Sequence, residues 1–241
     1  IDDTLSWEGR LIPEAFQALS AAQKSGLRVI PITGRPGGWV DHIARMWPVD
    51  GVVGENGGLW FYMDDTKLVR CFLQSEPERK RNRERLNELA GAILGAIPGT
   101  ALASDQPYRE LDLAIDFCED VSRLDAAAVD AIVDAFHHAG ATCKVSSIHV
   151  NGWYGDFDKL TGCSRILADK YGEQLDASID QYAFFGDSAN DEPMFARFPI
   201  SIGVANVRDF LPRMSAWPTY ICAENGGHGF AEAMHHILRN R

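Results

Sequence analysis

At 241 residues the chain can bury a sizeable core, as one large domain or two smaller ones. Hydrophobic residues make up 46% and charged residues 24%, the balance of a globular protein rather than a disordered or fibrous one. The net charge of −11 argues against nucleic acid or an anionic membrane as partner, and no apolar run approaches the roughly 20 residues of a membrane span.

The chain opens Ile1-Asp2-Asp3-Thr4-Leu5, two acids and a threonine that would ordinarily be read as a frayed end. Pro13 to Lys24 predicts an amphipathic helix with Ala15, Phe16, Leu19 and Ala22 inward and Gly26 ending it. Leu27 to Thr33 reads as a strand closing in Thr33-Gly34-Arg35, with a bulge or strand end at Pro31. Residues 38–46 read as helix, and Gly51 to Gly54 as a short buried strand entering the turn Glu55-Asn56-Gly57-Gly58. Leu59–Tyr62 and Leu68–Leu73 predict a hairpin around Met63–Lys67. Strand and helix alternating in this way predict a parallel sheet with crossover helices.

Between roughly residues 70 and 155 the pattern changes. Glu76 to Ile97 predicts a long helix whose first half, Glu78 to Arg85, is densely charged; mixed signs in an acidic chain make it a solvated face rather than a nucleic-acid contact. Arg109–Phe117 and Cys143–Val150 alternate as half-exposed strands do, and Asp125–Ala139 predicts a helix with Val129, Ile132, Val133 and Phe136 inward. This describes a small antiparallel α+β unit. From Lys159 the first style returns: helix 159–171, strand 182–185, helix 191–197, strand 200–204, helix 206–213, strand 219–222 and helix 229–238. One domain is therefore expected inside another, with 1–72 and 156–241 as the core and 73–155 as the insert. Five scattered cysteines without C-x-x-C spacing read as reduced thiols, and with no signal-peptide pattern they give a cytoplasmic expectation.

The most specific stretch is Tyr182 to Phe195, an apolar run that stops at Gly186 and yields to Asp187 and Asp191 with Asn190 between them. A strand ending in an acidic loop places oxygen ligands at the carboxyl edge of a sheet, where open α/β sheets bind ligands, and such ligands suit Mg²⁺. A polar turn in which Asp187 caps the next helix is the plainer alternative. Four separated pieces then belong together: acids at the start, the hydroxyl of Thr33, Lys159 at a helix start, and the acidic loop. They supply a proton donor, neutralising cations and phosphate-oriented donors, the components phosphoryl transfer needs.

In this order, and with the insert where it lies, the pieces resemble the four motifs of the haloacid dehalogenase superfamily. Asp2 and Thr4 match the third and fifth positions of its D-x-D-x-T motif, so the resemblance puts the nucleophilic aspartate immediately before Ile1 and expects the chain to extend upstream. Thr33, Asp158-Lys159 (with Leu160 where the family has glycine) and Gly186-Asp187-Ser188-Ala189-Asn190-Asp191 resemble the second, third and fourth motifs.

The resemblance implies a doubly wound, mainly parallel Rossmann-like core with an inserted α+β cap of type IIB, the layout of Cof-like and sucrose-, trehalose- and mannosylglycerate-phosphate phosphatases. It implies a Mg²⁺-dependent phosphomonoesterase acting on a small phosphorylated metabolite, a sugar phosphate being the leading class, as monomer or homodimer. Asp2, Asp187 and Asp191 would serve the metal, Asp2 would be the acid and base, and Thr33, Gly34, Arg35, Asn56, Lys159 and Asn190 would meet the phosphate or substrate. Asn56 sits in a turn that a bare hairpin would equally explain. In the insert, Arg109, Lys144, His149 and Asn151 are candidates for the leaving group, with ordinary surface placement the alternative. His149 stands out because Trp153 and Tyr154 follow it and aromatics stack on sugars. A phosphosugar mutase, or a regulator without a nucleophile, are the competing readings.

Overall fold

The computed structural model describes residues 1–146 and 148–240. Ser6–Trp7 (β1) and Arg10–Leu11 (β2) form a small hairpin leading to helix α1, Pro13–Lys24, which starts with proline in its first turn. Ala15, Ala18, Leu19 and Ala22 are its buried stripe; Phe16, expected inward, is 39% exposed and meets Trp47 edge-on. Helix α2 covers Gly37–Met46. Strands Val52–Gly54 (β3), Leu59–Asp64 (β4) and Lys67–Phe72 (β5) form an antiparallel sheet.

Leu27–Thr33 is extended but is not a full strand. It runs parallel to β3 through Val53 N–H to Pro31 O (2.9 Å) and Thr33 N–H to Val53 O (3.0 Å), with one bridge at Ile32. Pro31 has no N–H with which to continue a ladder.

The insert begins with α3, Glu76–Ala96, and carries Ala101–Leu102 (β6), Leu113–Asp116 (β7), helix α4 at Ala126–His138, Thr142–Val145 (β8) and His149–Trp153 (β9). Its antiparallel sheet has the order β6-β7-β9-β8. The strand expected over Cys143–Val150 is thus two strands of a hairpin, and residue 147 within that range lies outside the described residues. The strand expected over Arg109–Phe117 shortens to β7 and is buried on both faces rather than half-exposed. Leu113, Ile115 and Val150 pack with Leu86, Ile93, Ile132 and Phe136 of α3 and α4. The opposite face of the sheet turns to the core, where Trp153 joins Val40, Leu59 and Phe157.

The chain returns through α5 (Lys159–Tyr171), α6 (Leu175–Ser178), β10 (Ala183–Gly186), α7 (Glu192–Arg197), β11 (Ile200–Gly203), β12 (Tyr220–Ile221) and α8 (Gly226–Arg239). The helix expected at 206–213 is two short 3-10 segments, Ala205–Asp209 and Leu211–Arg213, with Pro212 at the start of the second. β10, β11 and β12 are parallel neighbours. Successive residues of β10 face opposite ways: Phe184 packs with Leu167 and Phe195, and Phe185 with α1 and α8 through Leu19 and Phe230. Helices on both faces of this parallel sheet make an α/β core, with the α+β insert seated against it.

Candidate active site

The acidic loop follows β10 directly. A side chain at Gly186 would meet the Asp191 carboxylate at 2.7 Å, so glycine lets the loop fold back on its own second acid. Asp191 is buried; its Oδ2 accepts the Asp187 N–H at 3.0 Å and its Oδ1 accepts Lys159 Nζ at 2.6 Å. Asp158 caps α5 by accepting from Thr161 N–H at 2.8 Å, which fixes Lys159 as the first helical residue. Burial works against the Lys159 ammonium, but Asp191 outweighs it and the group stays charged, its pKa raised. Asp187 receives a 2.6 Å hydrogen bond from the Thr4 hydroxyl. Burial, and then the charge of Asp191, push the Asp187 carboxyl up to about 7.

The first residues reach this loop from the other side. The Asp2 carbonyl oxygen lies 3.5 Å from Thr4 Oγ1, while its carboxylate turns to Arg35, 3.1 Å from Nε and 2.9 Å from Nη2. Burial acts to raise the Asp2 pKa and the Arg35 guanidinium to lower it, and the group is held below the usual carboxylate range. Asp2 is therefore an ionised partner of Arg35 rather than a protonated acid, and the metal role that the resemblance implies for it belongs to its backbone carbonyl, which lies on the side of Thr4 and the acidic loop. Thr33 is buried and its Oγ1 accepts the Arg35 N–H at 3.0 Å. Arg35 also reaches the insert, at Asp105 (3.4 Å) and Glu119 (3.2 Å).

The seam between core and insert is built around a residue the sequence reading left as part of a turn. Glu55 is completely buried, and its carboxylate accepts four backbone N–H groups: Gly37 (2.8 Å), Glu110 (2.8 Å), Leu111 (2.6 Å) and Asp112 (3.1 Å). Burial and then Asp112 push it up to about 7, against Arg109 and these donors. The turn has left-handed backbone at Glu55 and Asn56. At Gly57 (φ +107°) a side chain would collide with Asp158 O at 1.8 Å, so only glycine lets this turn abut the start of α5. Asn56 is thereby set beside Gly34 and Lys159, its Nδ2 buried without an acceptor among the described residues.

The four cap candidates separate. Arg109 is buried and fully engaged, with Asp105 at 2.9 Å, Asp112 at 2.9 Å and the Gly34 carbonyl at 3.0 Å. It ties the insert to the backbone of the loop after Thr33, which corrects both surface placement and a free guanidinium for substrate. Asn151 is buried and donates to Asp112 at 3.0 Å. His149 is buried with Nε2 2.9 Å from Glu119 Oε2; burial lowers its pKa despite that carboxylate. The aromatic platform expected beside it is occupied: Trp153 stacks on Phe157 at 5.3 Å, and Arg85 lies over the Tyr154 ring at 3.4 Å. Lys144 pairs across β8 and β9 with Asn151, on the face turned to the core, and makes no ion pair among the described residues.

Asp2, Thr4, Thr33, Gly34, Arg35, Asn56, Lys159, Asp187, Asn190 and Asp191 line one cavity of about 630 Å³, which Arg109, Lys144, His149 and Asn151 also border. Asn190 accepts from the Ser188 hydroxyl at 3.0 Å. The cavity continues as an apolar trough between residues 27–32 and β10, with Leu19, Phe230 and Met234 along it. Among the described residues no three His, Cys, Asp or Glu side chains cluster closely enough to form a metal cage by themselves. The oxygens present are the Asp187 and Asp191 carboxylates and the Asp2 carbonyl. They fit Mg²⁺, which takes one or two carboxylates and completes its shell with water or phosphate oxygens. Asp187 supports the fit, because a carboxyl pushed up by burial and then by a neighbouring anion is short of positive charge.

Glu55, Glu119 and Asp105 were not singled out from the sequence. A glutamate directly after a wholly apolar strand was the one available signal, since a buried carboxylate requires donors.

Residues 155–234 match the family model of haloacid dehalogenase-like hydrolase. The chain is 22% identical over 231 residues to phosphoglycolate phosphatase 1 of Saccharolobus solfataricus, spanning 95% of this chain and 88% of that protein. In fold it is similar to protein 0175 of Thermoplasma acidophilum (TM-score 0.75, 20% identity, 99% and 95% of the two chains). It is also similar to the sucrose-phosphatase of Synechocystis, solved with sucrose and phosphate (TM-score 0.66, 14% identity, 98% and 95%). Among the described residues no helix is long and apolar enough to cross a membrane.

Proposed function

We propose that the chain is a haloacid dehalogenase-like hydrolase, a Mg²⁺-dependent phosphomonoesterase working through an aspartyl-phosphate intermediate, a reading that the family match over residues 155–234 supports. The observation that carries this reading is the convergence of Thr4, Lys159, Asp187 and Asp191, drawn from three distant parts of the chain, into one hydrogen-bonded cluster. We take 1–72 and 156–241 as the catalytic core and 73–155 as its cap. The nucleophile's place, by the spacing of Asp2 and Thr4, is immediately before Ile1, and the apolar trough between residues 27–32 and β10 suits the strand that would carry it.

In this reading the Thr33 hydroxyl and the backbone at Gly34 hold the phosphoryl oxygens, and the Lys159 ammonium offsets their charge. Asp187, with Asp191 and the Asp2 carbonyl, would hold Mg²⁺, which would supply further positive charge to the phosphoryl group when bound. Attack by the aspartate breaks the bond from phosphorus to the leaving oxygen, which takes a proton from Asp2. Ionised Asp2 then removes a proton from water; that water attacks phosphorus, releasing phosphate and restoring the nucleophile. Because Arg35 keeps Asp2 ionised at rest, Asp2 becomes an acid only when the guanidinium lets go, and the phosphate dianion is the natural competitor for it.

The reading is tested by phosphate release from a panel of phosphorylated sugars, glycerates and nucleotides. Activity is expected with Mg²⁺, lost on chelation, restored by Mg²⁺ and absent in Asp187→Asn. Turnover without an added bisphosphate excludes the mutase. Undiminished phosphate release by Asp187→Asn would overturn the assignment.

A further inference from the structure

The turn from Ile1 to Ser6 begins with three backbone carbonyls, and two of them are spent. That of Ile1 accepts the N–H groups of Leu5 (2.9 Å) and Ser6 (3.1 Å). That of Asp3 accepts the side-chain amide of Asn206, 203 positions away, at 3.1 Å. The Asp2 carbonyl, between them, has the Thr4 hydroxyl at 3.5 Å, but that hydroxyl has one proton and gives it to Asp187 at 2.6 Å. The Asp2 oxygen is thus an acceptor with no close donor among the described residues, one hydroxyl away from the Asp187 carboxylate.

A loose turn would not keep an oxygen in that direction. Asp3 has φ +54°, left-handed backbone that a residue with a side chain adopts only where its surroundings fix it. Two side chains do so, one on each side. The Asp2 carbonyl and the Asp3 N–H are opposite ends of one planar peptide, so holding the N–H aims the oxygen. Ser6, which is buried, accepts that N–H on its Oγ at 3.1 Å and gives its own proton to the Ile1 carbonyl at 3.4 Å. The next peptide is held at the Asp3 carbonyl by Asn206. Asn206 is itself anchored, because its Oδ1 accepts the N–H of Gly226, the first residue of α8, at 3.0 Å. It stands just past β11, whose end is tied to the acidic loop by Val204 N–H to Gly186 O at 3.0 Å. At Gly226 (φ +48°) a side chain would meet the Ser6 carbonyl at 2.6 Å, so glycine lets α8 press directly on the same turn.

We propose that Ser6 and Asn206 are positioning residues for the metal: by clamping the two peptides that flank Asp3, they hold the Asp2 carbonyl where, with Asp187, it can take a divalent cation. This rests on the metal-dependent phosphatase reading. Both side chains act through the backbone rather than on the cation, as the partners that orient a ligand commonly do. Asn206 also fixes the first turn of the chain to the sheet edge that carries the acidic loop, so the two sources of oxygen keep one spacing.

The test measures cation binding directly, without substrate. The full-length protein, as wild type, Ser6→Ala, Asn206→Ala and Asp187→Asn, is titrated with Mn²⁺ followed by electron paramagnetic resonance, with Mg²⁺ as competitor. Ser6→Ala and Asn206→Ala should each weaken binding about three- to tenfold, the worth of one hydrogen bond, and Asp187→Asn should weaken it further. The Mg²⁺ concentration for half-maximal phosphate release should rise in the same proportion. Urea unfolding of the same proteins separates this from a purely structural role, which would shift the unfolding midpoint and leave the dissociation constant of the folded protein at its wild-type value. Wild-type affinity in either Ser6→Ala or Asn206→Ala overturns the inference and leaves the phosphatase reading in place. A wild type that binds neither cation overturns both.

Discussion

Arg109 offers the sharpest separation between a structural tie and a substrate contact. Its side chain is 1% exposed, Asp112 is 0% exposed and Asp105 is 10% exposed, with both ion pairs at 2.9 Å. Arg109→Ala leaves Asp112 with the Asn151 amide as its remaining side-chain donor, close to Glu55, whose pKa its charge already raises. Removing one partner of a buried ion pair costs about 3–5 kcal/mol. For a chain of this size that corresponds to a fall in Tm of roughly 6–20 °C. The deficit has a pH sign. Without the guanidinium, which holds the Glu55 pKa down, Glu55 ionises less readily in the folded state, so the variant loses stability as pH rises and its deficit is larger at about pH 8 than at about pH 5. Urea unfolding at the two pH values measures it. A deficit under about 1 kcal/mol, the worth of an exposed pair, would refute this reasoning. A loss confined to KM with unfolding unchanged would instead return Arg109 to the substrate.

Three further outcomes are expected. Glu55→Gln should flatten the pH dependence of stability: a carboxyl raised from 4.5 to about 7 in the folded state contributes stability that is full below 4.5 and lost as pH rises through about 7. Identical slopes for variant and wild type in unfolding experiments would count against a buried, perturbed Glu55. Lys159→Met strips Asp191 of its cation and the phosphate of a neutralising charge, and should lower kcat by about 10²–10³-fold. Steady-state kinetics within about threefold of wild type would remove Lys159 from the mechanism. Thr4→Val should raise the Asp187 pKa further, because the threonine hydroxyl is among the groups that lower it, and should weaken activation by Mg²⁺. A titration of activity against Mg²⁺ that matches wild type would contradict this.

Much of the architecture is local information. Pro13, Gly26, the Asp158 cap and the apolar stripes are short-range signals, and the helices they predict lie within a few residues of where they occur. The acidic loop is legible for the same reason, since Gly186, Asp187 and Asp191 are adjacent in sequence and their chemistry does not depend on distant partners. Alternation misled at β7, because it reports which residues face the insert's own core and not that the core domain covers the opposite face.

The working state of each side chain was beyond local reading. Asp2 is an ionised partner of Arg35, Arg109 is a buried tie and Glu55 is the pin of the seam, because each meets groups between 33 and 75 positions away, or nearer groups presented by another layer. Charge, burial and hydrogen bonding are properties of such meetings. The residue types at the site are therefore written in the sequence, and only the packing of cap on core decides which of them are spent holding the fold and which remain free to bind.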